Sequence, residues 1–290
     1  MGIGSDPPRR TVAVLEADPD LANGLSPGAA EAARRQAVAA VIDAAPPDWN
    51  PGRMAAAADG GWLGLLVIEG LMIRRVTVGR RSACELFGPG DLIRPWDTDG
   101  DYDPLPISID WPVRKPTRLA ILDAEFALRI AAWPRISSAL MGRIAHRARQ
   151  LALTQAVSHL PLVHARLLIL FWLLAERWGR VGPNGVRVIL PLTHEVLAML
   201  VGARRPTVTI ALQRLIRAGL VERENHERWL LTALAIERLA APEGLGLIDE
   251  GDKRDEGEPP AGEPPAGERG PAGGASSGAQ VARCQTTDIP

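Results

Sequence analysis

Apolar positions along the chain change their spacing several times, and each change marks a different kind of element. From Thr11 to Leu25 and from Pro27 to Ala45 the pattern, Ala-rich in the second stretch, predicts helical pieces. Pro46, Pro47, Pro51 and Gly52 end them. From Trp62 the pattern is that of strands. Leu63–Ile68 is an apolar run, Gly70 predicts a turn, and Leu71–Val78 is rich in β-branched residues. Gly79–Arg81 predicts another turn, Cys84–Phe87 a short strand, and Gly88-Pro89-Gly90-Asp91 a turn that closes it. After an acidic loop, Asp97 to Pro104, Ile107–Trp111 alternates and Thr117–Leu122 is a last strand. Short strands separated by Gly-rich turns predict an antiparallel sandwich or jelly-roll barrel with no helix inside it.

From Ala124 the helical period returns. Pro134 suits a first helical turn. Ile136, Leu140, Ile144, Ala148, Leu151 and Gln155 then follow at spacings of three and four, with Arg143, Arg147 and Arg149 off the stripe. So narrow a seam predicts one strand of a two-helix coiled coil, a dimerisation helix bridging two domains. Pro161 ends it; Leu162–Trp178 is a second helix, 179–185 a loop and Val186–Leu190 a strand. Past Leu247 the chain is Gly, Pro, Glu and Ala, with EPPAG occurring twice, a composition that buries too little apolar surface to fold. Residues 1–10 are also expected to be disordered. The expected division is therefore an N-terminal helical segment (1–45), a β-barrel effector domain (46–124), a dimerisation helix (125–160), a winged helix-turn-helix domain (161–240) and a disordered tail (249–290). The fold class is α+β.

Charge sharpens the picture. The formal net charge is −1, but it is segregated. Pro134 to Ala240 holds 15 Arg against 6 Glu, with no Lys or Asp. Met1 to Trp133 holds 14 basic against 18 acidic residues, and Asp249 to Pro290 holds 4 against 9. A basic block between acidic flanks is the electrostatic footprint of a nucleic-acid binder. No apolar run reaches the roughly 18 residues of a membrane span, and the N-terminus has no apolar core behind its charges. Two cysteines, Cys84 and Cys284, make no disulfide framework. A cytoplasmic protein with no membrane partner is expected.

The candidate chemistry lies in LPLTHEVLAMLVGARRPTVTIALQRLIRAGLVERENHERWLL, Leu190 to Leu231. Thr193 can cap a helix, His194–Val201, which is expected to bury Val196, Leu197 and Leu200. Gly202 permits a sharp turn. A second helix, about Arg205 to Ala218, turns Val208, Ala211, Leu212 and Leu215 inward and Arg204, Arg205, Thr207, Thr209, Ile210, Gln213, Arg214 and Arg217 outward. Leu220–Arg223 and Arg228–Leu231, turning at Asn225-His226, predict a hairpin wing. A helix fits the DNA major groove with its N-terminal residues near base edges, where arginine can donate two hydrogen bonds to guanine. The expected DNA-binding residues are Thr193, His194, Arg204, Arg205, Thr207, Thr209, Gln213, Arg214 and Arg217.

With those residues in place the chain resembles the Crp/Fnr family over roughly residues 11–240, most closely at LPLTHEVLAMLVGARRPTVTIALQRLIRAGLV. The order barrel, long helix, winged helix is also similar. The resemblance implies a cyclic-nucleotide-binding-like barrel and a homodimer joined by the long helix. It also implies a pseudo-palindromic operator of double-stranded DNA, and RNA polymerase as a partner. By position Arg205 matches the family's guanine-reading arginine, while Pro206 and Ile210 stand where well-known members carry Glu and Arg, so a different base sequence is expected. Gly88-Pro89-Gly90-Asp91 with Leu92-Ile93 looks like a strand–turn of the family barrel. Where the phosphate-binding cassette should follow, the chain reads Arg94-Pro95-Trp96 and then an Asp-rich loop that would repel a cyclic phosphate. No response to cyclic AMP is expected, and the effector stays unassigned; Trp96 and Trp111 are candidates to line an apolar effector pocket.

Other chemistry finds little support. His146, His159, His164, His194 and His226 form no metal-binding spacing. Cys84 alone cannot hold an iron–sulfur cluster. Asp97, Asp99, Asp101 and Asp103 lack the glutamate that an EF-hand loop needs at its twelfth position. No metal or cofactor is therefore expected. The alternatives are a cupin-type barrel enzyme, which would need barrel histidines that residues 46–123 do not contain, and a protein-interaction module with an appended winged helix. The four arginines Arg204, Arg205, Arg214 and Arg217 favour DNA over protein, and no catalytic residue is expected.

Overall fold

The fold was obtained as a computed structural model, which describes residues 10–45, 47, 49–51, 54, 61–98 and 106–241. Readings that fall on 1–9, on most of the acidic loop (99–105) and on the 249–290 tail lie outside the described residues.

The first unit is an antiparallel β-structure of jelly-roll type. Its strands are β1 (Thr11–Ala13), β2 (Val38–Ala44), β3 (Gly64–Val78), β4 (Arg81–Phe87), β5 (Leu92–Ile93), β6 (Ile107–Asp110) and β7 (Val113–Leu122). They are ordered β1-β2-β7-β3-β4, with β5 and β6 also paired to β3. β3 explains the unbroken apolar runs in the sequence. Successive side chains of a strand point to opposite faces, and here both faces are covered. Leu65, Val67 and Met72 face the barrel interior with Phe87, Trp111 and Leu119. Leu66 faces Val14, Leu15, Phe126 and Ile136 on the outside. Leu71 and Ile73 pack into the core of the second unit.

Four expectations are corrected here. Val38–Ala44 is a strand, not helix: its apolar face is claimed by β7, with Ala40 opposite Ile121 and Ile42 opposite Leu119. Among the described residues of the N-terminal segment, only Val14–Ala17 (α1) and Pro27–Gln36 (α2) are α-helical, with a 3₁₀ turn at Pro19–Ala22. Gly70 does not end a strand. It sits inside β3 at φ +100°, where β3 bulges against β7, and a Cβ there would lie 2.3 Å from the Pro116 carbonyl oxygen. Close approach of two backbones, rather than a reversal, requires this glycine. A 3₁₀ turn at Pro95–Thr98 also interrupts the strand region, where no helix was expected.

α3 (Ala124–Ile130) is capped by Asp123, whose Oδ1 accepts the Phe126 N–H at 2.8 Å. α4 (Pro134–Ser158) begins with Pro134 in its first turn and is the long helix. Its apolar stripe has two owners. Ile136 and Leu140 are fully buried against the N-terminal elements of the same chain. Met141, Ile144, Leu151 and Leu153 remain exposed, Ile144 by 37% and Leu151 by 42%. Two of the arginines off the stripe fasten α4 to the first unit. Arg143 grips Asp18 in a two-pronged pair. Arg147 donates to both Glu85 oxygens at 2.6 and 2.9 Å and lies over Phe87.

The second unit comprises α5 (Val163–Trp178), β8 (Gly179–Gly182), β9 (Gly185–Ile189), α6 (His194–Val201), α7 (Arg205–Arg217), β10 (Val221–Arg223), β11 (Arg228–Thr232) and α8 (Ala233–Ala240). Its sheet runs β10-β11-β9-β8. The stretch 179–185, expected as a loop, supplies β8, because Val186 and Val188 on β9 pair back onto it through a tight hairpin. The second unit does not stand clear of the barrel. Leu71, Ile73 and Leu86 belong to its hydrophobic core. Arg177 pairs with Asp91, and Lys115 on β7 reaches Glu227 of the wing at 3.1 Å. Cys84 lies in this seam, its Sγ 3.8 Å from the Val196 carbonyl, and burial pushes the thiol up to about 12. Such a thiol carries almost no thiolate at neutral pH, which makes it a packing residue rather than a nucleophile. No helix among the described residues is long and apolar enough to cross a membrane.

Candidate nucleic-acid interface

α6 starts where the sequence signals it. The Thr193 Oγ1 accepts the Val196 N–H at 3.2 Å, a cap contributing about 1 kcal/mol. α6 stops at Gly202, which takes the left-handed conformation at φ 65°, ψ 36°. A residue with a Cβ is strained in that conformation. The turn lets the Ala203 N–H reach the Ala198 carbonyl at 2.9 Å and redirects the chain within three residues. Arg204 is extended at the start of α7, and Pro206 lies in its first turn, where a missing N–H costs little.

α7 turns Val208, Ala211, Leu212 and Leu215 into the core. That core also holds Trp229 of β11, fully buried, with its ring 5.3 Å from Phe171 of α5. The buried face leaves Arg205, Pro206, Thr207, Ile210, Gln213 and Arg217 exposed and Thr209 and Arg214 half-buried. α7 has no acidic residue. The wing is shaped by Asn225, whose Oδ1 accepts the N–H groups of Glu227 and Arg228 at 2.9 Å each. Arg187 of β9 braces it by donating to Glu224 at 2.9 Å, which lowers the Glu224 carboxyl below its ordinary range.

Thr193, His194, Glu195, Arg205 and Arg223 together line a cleft of about 430 Å³ between the start of α6, the start of α7 and the wing. Three of these, Thr193, His194 and Arg205, were expected as site residues; the fold brings them together with Thr209. The His194 Nδ1 lies 2.9 Å from the Thr209 Oγ1, and that hydroxyl lies 3.1 Å from the Arg205 carbonyl. A hydroxyl has one proton. Thr209 therefore donates to the carbonyl and accepts from His194 Nδ1–H, leaving Nε2 of the neutral ring without a proton. Burial first, then the charges of Arg223 and Arg205, hold the His194 pKa below its ordinary value.

Arg223 and the exposed Glu195 are the members of this cleft that sequence reasoning missed. Arg223 adds a cation from the wing. Its guanidinium lies 5.0 Å over the Trp229 ring, its cross-strand partner. The available signal was the hairpin register itself, since a turn at Asn225 sets Arg223 opposite Trp229. Arg204, Gln213 and Arg217 lie outside the cleft on the exposed surface of the same helix-turn-helix. Trp96 and Trp111 are elsewhere. Trp111 packs edge-on against Trp49 and tilted against Phe87, and Trp96 packs edge-on against Trp62, so both rings serve the barrel core.

Residues 165–241, which span this helix-turn-helix and its wing, match the Crp-like helix-turn-helix domain. The CRP-like cAMP-activated global transcriptional regulator of Mycobacterium tuberculosis is 31% identical over 154 residues, 52% of this chain and 67% of that protein. The chain belongs to the Crp/Fnr family. Among solved structures, FixK2 from Bradyrhizobium japonicum is similar with a TM-score of 0.49 and 13% identity, over 72% of this chain and 96% of that one. As a Crp/Fnr-type transcription regulator the chain binds DNA through its winged helix-turn-helix.

Proposed function

We propose that the protein acts as a homodimer on a pseudo-palindromic operator, with α7 of each protomer in a major groove and Arg205 reading guanine. The observation that carries this reading is the surface of α7: exposed Arg205, Gln213 and Arg217 without a single acid, beside the wing arginine Arg223. A base-reading arginine belongs near the N-terminal end of such a helix, where Arg205 stands. Thr193, His194, Arg204, Thr207, Arg214 and Arg217, spread around it, fit contacts to the phosphate backbone, and Thr209 and Gln213 fit a position near base edges. Selection from a random duplex library with the purified protein tests this. An enriched site of two inverted half-sites about one helical turn apart is expected, bound with an affinity that falls steeply with salt. No enriched sequence, or salt-independent binding, would overturn it.

His194 makes the binding pH-dependent in a stated direction. In the free protein its lowered pKa keeps the ring neutral at neutral pH. A DNA phosphate beside it favours the cation, whose Nε2–H can donate, so the pKa rises in the complex. Between the two values the complex holds the extra proton. Affinity should therefore be flat at high pH, rise as pH falls through the pKa of the complex, and level off below that of the free protein. Titrations from about pH 8 to about pH 6 measure it. His194→Gln should flatten the rise, and an identical rise in that variant would remove His194 from the interface.

The barrel is proposed not to respond to cyclic AMP. Arg94, the first residue after β5, donates to the Trp62 carbonyl and lies 5.7 Å from the Trp96 ring, so its charge is engaged within the barrel wall. Calorimetry with micromolar cyclic AMP should show no saturable heat; a stoichiometric isotherm would contradict the proposal.

A further inference from the structure

We infer that Ile210 reads the C5-methyl group of a pyrimidine, thymine in ordinary DNA, at one position of each operator half-site. The inference rests on the reading that α7 enters the major groove, and it deepens that reading from arginine contacts to the apolar part of the recognised sequence.

With 3.6 residues per turn, Pro206, Ile210, Gln213 and Arg217 recur at spacings of four, three and four. They form the stripe diametrically opposite the buried Val208, Ala211, Leu212 and Leu215. All four are exposed, and Ile210 is 70% exposed. A single exposed isoleucine on a protein surface is ordinary. This one lies on the centre line of the helix face that meets DNA, between Arg205 at the start of the helix and Arg217 at its end. With Arg205 on a base edge at one end and Arg217 on a phosphate at the other, the helix is held in the groove, which sets the depth of the residue between them.

The chemistry of the groove then selects the partner. Base edges there present hydrogen-bond donors and acceptors, and the one apolar group is the C5-methyl. The Ile210 side chain can neither donate nor accept. Pressed against guanine O6 and N7 or cytosine N4, it would strip water from polar atoms and leave them without partners. Pressed against a C5-methyl it buries apolar surface on both sides. Its β-branch holds one dominant χ1 rotamer in a helix, so little side-chain freedom is lost on contact. Thr209 is a poorer candidate for the same methyl, because it is half-buried and its hydroxyl is committed to His194 and the Arg205 carbonyl. Position 210 therefore discriminates in two ways: it favours a methylated pyrimidine and penalises an unmethylated polar edge.

The test uses the full chain and the duplex selected from the random library. Each thymine is replaced singly by uracil, which removes only the methyl. One thymine per half-site should show a loss of about fourfold, the value of one buried methyl-sized group, and on the order of fifteenfold when both half-sites are altered. Placing cytosine and then 5-methylcytosine opposite guanine at that position should restore tighter binding to the methylated form by a similar factor. Ile210→Ala, at an exposed position, should bind the thymine and uracil duplexes almost equally. If the wild-type protein binds its operator and tolerates uracil everywhere, or if the penalty persists in Ile210→Ala, the assignment to Ile210 is wrong while DNA recognition by α7 stands. A library that yields no enriched site removes both.

Discussion

Ile144→Glu should turn the protein into a monomer and lower operator affinity by about 10²–10⁴-fold, the gain that joining two binding modules provides. The expectation follows from the divided stripe on α4. Met141, Ile144 and Leu151 are exposed along the helix, while Arg143 and Arg147 tie α4 to its own protomer. A two-fold axis along that stripe would bury them against their equivalents in a second copy, and a glutamate at 144 would then face its own symmetry mate. The two-fold seam is thus proposed to start at Met141, not at Ile136. Leu140→Ala, one turn earlier, provides the contrast. Leu140 is fully buried within its own protomer, so this change should cost about 2–5 kcal/mol of protomer stability and leave the association state as it was. Light scattering and thermal melts of the two variants separate these effects. An Ile144→Glu protein that remains a dimer would remove the exposed half of α4 from the interface.

Arg205→Ala and Arg217→Ala should fail in different ways. Arg205 stands at the start of α7 in the cleft with Thr193, His194 and Arg223. A guanidinium bonded twice to guanine is worth about 1–3 kcal/mol of discrimination. Its loss should therefore weaken operator binding by roughly 5- to 150-fold and flatten preference at one base pair per half-site. Arg217 is three turns further on, at the last residue of the helix, and exposed. Its removal should weaken selected and random duplexes by similar factors and reduce the slope of log affinity against log salt by about 0.9 per protomer. Titrations against single-base operator variants at two salt concentrations measure both. Equal losses on every variant for Arg205→Ala would make it a phosphate contact of the cleft and move base reading onto the Pro206, Ile210, Gln213 stripe.

The sequence by itself determined the elements whose signals are local. The α6–turn–α7 segment is legible because each of its features acts within a turn or two. Thr193 caps the helix three residues on, and Gly202 takes a backbone conformation that other residues avoid. The inward face of α7 repeats at the helical period. The same locality made the Pro134 start of α4 and the Gly88–Asp91 turn readable, the latter closed by the Asp91 carboxylate accepting the Gly88 N–H at 2.8 Å. Tertiary structure decided whatever depends on a partner distant in sequence. The Ala-rich run Val38–Ala44 has a composition that suits a helix, and it is a strand because β7 and β1 supply ladder partners on both sides. Gly70 looks like a turn until Pro116 and Thr117 come against it. The stripe on α4 is uniform as a pattern, yet its first half is covered by the chain's own N-terminal elements and its second half is left open. Arg223 joins the cleft only because the hairpin sets it over Trp229. Periodicity and caps are set by neighbours along the chain, whereas the occupant of an apolar face is set by which distant segment reaches it, and that information is spread over the whole fold.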